Sequence, residues 1–174
     1  MVAQRIAATH ADRVLGLISV MSSSGDPSLP PASPEAMAAL TRAPANPNDR
    51  EGVISLGLAN RRVWQSPAYP ESDETIRADL ALAYDRCHDG RGVLRQMSAA
   101  LGDGSRRNLL GSIRTPTLVI HGRDDPLIPL AAGRDTAAHI PGARLEIIDG
   151  MGHDVARGLV PRWIELITEF IASC

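Results

Sequence analysis

The stretch that most limits how this chain can fold is Leu118-Val119-Ile120-His121-Gly122-Arg123-Asp124-Asp125-Pro126-Leu127-Ile128-Pro129, taken with Gly150-Met151-Gly152-His153. The first piece is a short apolar, β-branched run that stops at Gly122 and delivers a carboxylate into a proline-bounded turn. The second follows another apolar run, Leu145 to Ile148, and two glycines carry its backbone to an imidazole. Between Asp125 and His153 lies a segment of helix length, Leu130 to Ile140. Strand, acid loop, helix, strand and histidine loop make a βαβ unit. In open parallel α/β sheets the functional loops gather beyond the carboxyl ends of the strands. Both the acid and the base fall there.

The rest of the chain supports an α/β reading with a helical interruption. Residues 2–9 read as a helix, with Val2, Ile6 and Thr9 on one side. His10 to Arg13 is a polar break. Val14 to Met21 is a continuous apolar run of strand length, as expected for a parallel strand covered on both faces. Ser22-Ser23-Ser24-Gly25 ends it. Prolines 27, 30, 31 and 34 then mark a linker. Ser33-Pro34-Glu35 is a helix start, with serine as cap and proline in the first turn. Helices are expected over Glu35 to Arg42, Arg50 to Val63, Asp73 to Cys87 and Val93 to Leu101, with Gly90 and Gly92 breaking the pattern between the last two. No strand candidate occurs from 26 to 111. A last helix begins at Pro161, where Trp163, Ile164, Leu166, Ile167, Phe170 and Ile171 form a wide apolar stripe suited to core packing.

Composition excludes several classes. The net charge of −2 gives no electrostatic case for nucleic acid or an anionic membrane. No run approaches a membrane span, and the opening residues lack a basic-then-apolar export signal, so the expected compartment is the cytoplasm. Cys87 and Cys174 show no metal spacing and no disulfide pattern. Gly102 and Gly104 lack the Lys-Ser/Thr and the preceding strand of a phosphate loop. Aromatics make up only 3% of the chain, so its core is expected to rest on Ala, Leu, Ile and Val.

The order Asp then His, each just past a strand, resembles the tail of the Ser…Asp/Glu…His order of the α/β-hydrolases. The run His-Gly-x-x-Asp-Pro-Leu-x-Pro from His121, then Ile140 to Leu145, then Gly-x-Gly-His, resembles the esterase-type members of that family in wording and spacing. The opening Met1-Val2-Ala3-Gln4-Arg5-Ile6-Ala7 resembles the family's helix directly after its nucleophile elbow. The resemblance implies a partial α/β-hydrolase fold: the last three strands of a parallel sheet with an inserted helical cap. Its parts would be a core segment 1–25, a cap 26–112 and a core segment 113–174. By the same match Asp125 is the triad acid and His153 the triad base, acting on a small ester-like substrate without metal or organic cofactor. No serine in the chain has glycine two before and two after it. The nucleophile is therefore expected upstream, and the partner is the missing N-terminal half of the fold or a second copy. A half-hydrolase that only binds a ligand is the alternative. Epoxide hydrolase, dehalogenase and carbon–carbon hydrolase chemistry also use this scaffold.

Other polar residues have plainer readings. Asp124 rivals Asp125 but occupies the wrong place in the pattern. Asp149 and Asp154 are expected to shape the histidine loop. His10, His88, His121 and His139 lack a partner pattern, and His121 is expected to pack or hydrogen-bond near the acid loop. Ser22, Ser23 and Ser24 lie near the expected pocket, and a polar loop satisfying its own backbone is the simpler account. Trp64, Tyr69, Met97 and Leu127 are candidates for the pocket wall under the cap.

Overall fold

In a computed structural model, which describes residues 1–89 and 91–174, the chain is a three-stranded parallel sheet with helices on both faces. The expected break at Gly90 lies outside the described residues. Helix α1 (Val2–Thr9) leads to β1 (Leu17–Val20); then come α2 (Pro34–Thr41), α3 (Arg50–Trp64), α4 (Asp73–Arg86), α5 (Gly92–Gly102) and α6 (Arg107–Leu110). The sheet resumes with β2 (Thr117–Gly122), α7 (Leu130–His139) and β3 (Arg144–Ile148), and α8 (Val160–Ala172) closes the chain. No helix among the described residues is long and apolar enough to cross a membrane. Cys87 and Cys174 are exposed free thiols.

The strand order is β1-β2-β3, with Leu17 opposite Thr117 and Leu118 opposite Arg144. Every residue of β2 is buried, as a central strand of β-branched residues requires. Two apolar cores flank the sheet, and β2 enters the first. Leu118 and Ile120 face α8 through Leu166 and Phe170, with Ile148, Met151 and Leu159 completing that side. A second core joins Ala7 of α1, Leu17 of β1, Leu110 of α6, Ile113 and Ile140. Each fully buried Leu or Ile stabilises the fold by roughly 1.5–3 kcal/mol.

The first strand is shorter than the apolar run from Val14 to Met21 predicts. Pairing starts at Leu17, whose N–H donates to the carbonyl of Pro116 at 2.9 Å. Pro116 has no N–H to return, so the ladder does not reach back to Val14, and Leu15 is left exposed. At the other end Met21 adopts a positive φ of 45°, which a non-glycine residue adopts at a cost of about 1–2 kcal/mol.

Among the described residues between β1 and β2 there is no strand, and the four expected helices form within one or two residues of their predicted limits. Ser33 caps α2 by accepting the Ala36 N–H at 3.1 Å, and Ser72 caps α4 by accepting that of Thr75 at 3.2 Å. The short α6 was not legible in advance. It follows Arg106, whose buried guanidinium donates to Gln4, Asp103 and the carbonyl of Ser23, tying α1 and the loop after β1 to the end of the helical segment.

Candidate active site

The acid turn comes first because β2 ends against it. Asp125 is buried, and its Oδ1 accepts the N–H groups of Leu127 at 2.9 Å and Ile128 at 2.7 Å, two and three residues on. This is an Asx-type turn made rigid by Pro126 and Pro129. One carboxylate oxygen is thereby committed to the turn. The other, Oδ2, lies 2.7 Å from Nδ1 of His153.

The histidine loop reaches that oxygen because two backbones cross closely. The N–H of Arg123 donates to Ile148 and that of Asp124 donates to Met151. A side chain at Gly122 would collide with the Met151 and Gly152 backbone, so this crossing requires glycine. Gly150 takes a φ of +71° and packs against Ala68. The loop then receives three bonds from residues 64–68: His153 N–H to the Trp64 carbonyl at 2.7 Å, Gly152 N–H to Ser66 Oγ at 2.9 Å, and Ala68 N–H to the Gly150 carbonyl at 3.1 Å.

Chemically, this is a carboxylate–imidazole pair. The carboxylate accepts, so Nδ1 carries the proton and Nε2 is the ring nitrogen with a free lone pair. Among the described residues Asp125 is the only hydrogen-bond partner of the His153 ring. The ring borders a groove of about 500 Å³ that runs along the unpaired edge of β1, past Gln4, Leu17, Ser19, Met21 and Ser22, to Ile128.

The remaining candidates separate cleanly. Asp124 accepts the Gly150 N–H at 2.8 Å, and Asp149 pairs with Arg123 at the surface, so both shape loops. Asp154 is buried against Ser66 and Arg61. His121 is fully buried and bonds the Ile128 carbonyl at 2.8 Å, bracing the acid turn. Burial holds its imidazole below the ordinary range, opposed by that hydrogen bond and by the nearby Asp125 charge. Ser23 Oγ accepts the Gly25 N–H, and Ser24 Oγ bonds Asp135, so both satisfy the loop after β1. Ser22 alone of the three borders the groove.

None of Trp64, Tyr69, Met97 and Leu127 borders the groove beside His153. Tyr69 packs against the α8 core, and the groove is walled instead by α1 and the edge of β1. Sequence reasoning also missed Ser66 and Arg61, because nothing in Gln65-Ser66-Pro67 marks a partner 88 residues away.

Comparison with known proteins bears on the fold. The α/β hydrolase fold family matches residues 96–156. The pimeloyl-[acyl-carrier protein] methyl ester esterase of Xanthomonas campestris pv. campestris (strain B100) is 31% identical over 100 residues, which are 58% of this chain and 37% of the esterase. A meta-cleavage product hydrolase from Pseudomonas fluorescens IP01 superposes with a TM-score of 0.70 at 17% identity, over 98% of this chain and 60% of that one. The enol-lactonase from Burkholderia xenovorans LB400 superposes with a TM-score of 0.68 at 23% identity, over 98% of this chain and 61% of that one. The chain has part of the α/β-hydrolase fold, and residues 96–156 match that family. It spans well under half the length of the curated relatives it matches and about three fifths of the solved chains.

Proposed function

We propose that these 174 residues carry the acid and base of a serine hydrolase that cleaves carboxylic esters, with the nucleophile supplied by polypeptide outside them. The observation that carries the reading is the 2.7 Å contact from His153 Nδ1 to a buried Asp125 whose other oxygen is already held by its own turn. That arrangement fixes the imidazole tautomer and leaves Nε2 to take a proton. In the complete site Nε2 would accept the serine proton during attack on the ester carbonyl. Asp125 would stabilise the imidazolium so formed, and His153 would return the proton to the departing alkoxide. The helices between β1 and β2 would serve as a cap, and the groove along β1 is where the remainder of the fold would bring serine and substrate to His153. The esterase relative supports ester cleavage as the reaction class.

The test is to read the coding sequence immediately upstream of Met1 and express the extended polypeptide. An in-frame Gly-x-Ser-x-Gly, with p-nitrophenyl ester hydrolysis lost in His153→Ala, is the expected result. A stop codon, or an extended chain that binds such esters without turning them over, would replace the reading with a ligand-binding or partner-completed half-hydrolase.

A further inference from the structure

Three consecutive residues of the base loop are bonded to one short segment of the helical insertion. His153 N–H donates to the Trp64 carbonyl, Gly152 N–H to Ser66 Oγ, and Asp154 Oδ1 accepts both the N–H of Ser66, at 3.0 Å, and its hydroxyl. The Asp154 side chain is almost wholly buried, and Arg61 Nε donates to its second oxygen at 3.2 Å. Arg61 continues to Glu71, which accepts the Arg157 N–H at 3.0 Å on the far side of the loop. A buried carboxylate persists only when donors replace its lost hydration, and here every such donor belongs to the insertion. Ser66 is itself fully buried, and its hydroxyl both accepts from Gly152 and donates to Asp154.

Resting on the acid–base reading above, we infer that Ser66 and Asp154 are positioning residues for His153: the insertion, through this serine–carboxylate clamp, sets the alignment of the base against Asp125. The two flanking residues of the histidine are held by the same hydroxyl, and its own N–H is held two residues earlier, so the peptide carrying the ring has little freedom to rotate. The imidazole contributes one bond of its own, to Asp125. Without the clamp the loop keeps its backbone bonds to Trp64, Ala68 and Asp124, but the residues on either side of the ring lose their fixed orientation and regain conformational freedom.

The experiment uses the whole chain with isotope-labelled histidine and backbone amide nitrogen, read by NMR at about pH 9, above the free imidazole range. It is carried out in solution or, where the chain assembles, in the sedimented solid. Wild type is expected to show a single His153 ring with the proton on Nδ1. Ser66→Ala and Asp154→Ala are expected to mix the two ring tautomers and to speed exchange of the His153 amide by about tenfold or more, for loss of roughly 1.4 kcal/mol of local protection. Asp154→Asn keeps the acceptor for Ser66 and is expected to restore the wild-type ring. Asp79→Ala, which breaks only the surface pair with Arg157, is expected to leave the ring unchanged. Folded Ser66→Ala with an unaltered ring and amide overturns the inference. So does a ring disturbed equally by Asp79→Ala, or global unfolding of both alanine variants, since each would make the clamp a general support. A wild-type ring without the Nδ1 proton overturns the acid–base reading itself, and the positioning role with it.

Discussion

The acid and the base sit on neighbouring loops at one end of one sheet, yet they are held in opposite ways. The acid turn after β2 is held mostly by its own residues: Asp125 accepts the N–H groups of Leu127 and Ile128, prolines bracket it, and His121 braces the Ile128 carbonyl. The bonds of the Asp125 carboxylate to the turn and of His121 to Ile128 join residues at most seven apart, and the Ser33 N–H adds one from further away, to the Pro126 carbonyl at 2.8 Å. The base loop after β3 has few such local bonds. Gly150, Gly152 and His153 are each tied to residues 64–68, more than 80 positions upstream. The carboxylate is therefore preset mainly by its own strand and turn, whereas the imidazole depends more on how the helical insertion packs. The insertion is also the less buried region, since α5 has no buried residue and α4 only Ile76. Low-stability elements are where opening motions concentrate. Changes in the insertion should therefore disturb the imidazole more than the carboxylate.

The largest effect is expected where the two loops meet. In the complete enzyme, Asp125→Asn should lower kcat by about 10⁴-fold, because a carboxamide cannot hold the imidazole in the same tautomer. His153→Ala should cost at least as much. Stability should change little in Asp125→Asn, since its remaining carbonyl oxygen can still accept from Leu127 and Ile128. Steady-state kinetics beside a denaturant melt measure both. A loss in kcat of less than tenfold would break the pairing on which the comparison depends.

Next in size is the crossing of the two backbones. Gly122→Ala places a methyl group into the Met151 and Gly152 main chain, where no side-chain rotation can relieve the clash. Destabilisation of about 2–4 kcal/mol is expected from urea denaturation. Gly142→Ala is the companion measurement. It faces open space at a φ of +74° and should cost only the backbone strain of about 1 kcal/mol. Equal costs would mean that the loops do not cross as closely as the structure has them.

Legibility followed the same division. Strands β2 and β3, the intervening helix and both loop ends were readable because each depends on a local pattern: apolar runs, a glycine stop, prolines around an Asp. The caps at Ser33 and the limits of α3 were readable for the same reason. What could not be read was long-range. Nothing near Ser66 signals Asp154, nothing in Ser105-Arg106-Arg107 marks Arg106 as buried, and the start of β1 was set by Pro116, just before β2. The part Trp64 plays was hidden in the same way, because its bond to the histidine loop runs through its carbonyl.

A pH measurement sharpens the claim that the acid turn is internally braced. His121 is buried with its imidazole held below the ordinary range, first by desolvation. The unfolded chain binds this proton near pH 6.5, whereas the folded chain resists it. The stability this supplies is therefore present above the unfolded value and is lost progressively as pH falls below it. Thermal melts of wild type are expected to decline from pH 7 to pH 5, and His121→Gln should flatten that decline. A variant with the same slope as wild type would assign the pH dependence to other groups and leave the brace without support.

The smallest expected effect is at Asp124, which shares a peptide bond with Asp125. Its carboxylate accepts one N–H, from Gly150, at an exposed site. Asp124→Asn keeps a carbonyl oxygen for that bond and loses only a solvated charge, so stability should move by less than about 0.5 kcal/mol. The kcat of the complete enzyme should stay within about threefold of wild type, as measured beside Asp125→Asn. Two adjacent aspartates then differ because one oxygen of Asp125 is buried against an imidazole while Asp124 faces water across a glycine. The reverse ranking in kinetics would move the acid to Asp124, and the turn around Asp125 would lose its place in the chemistry.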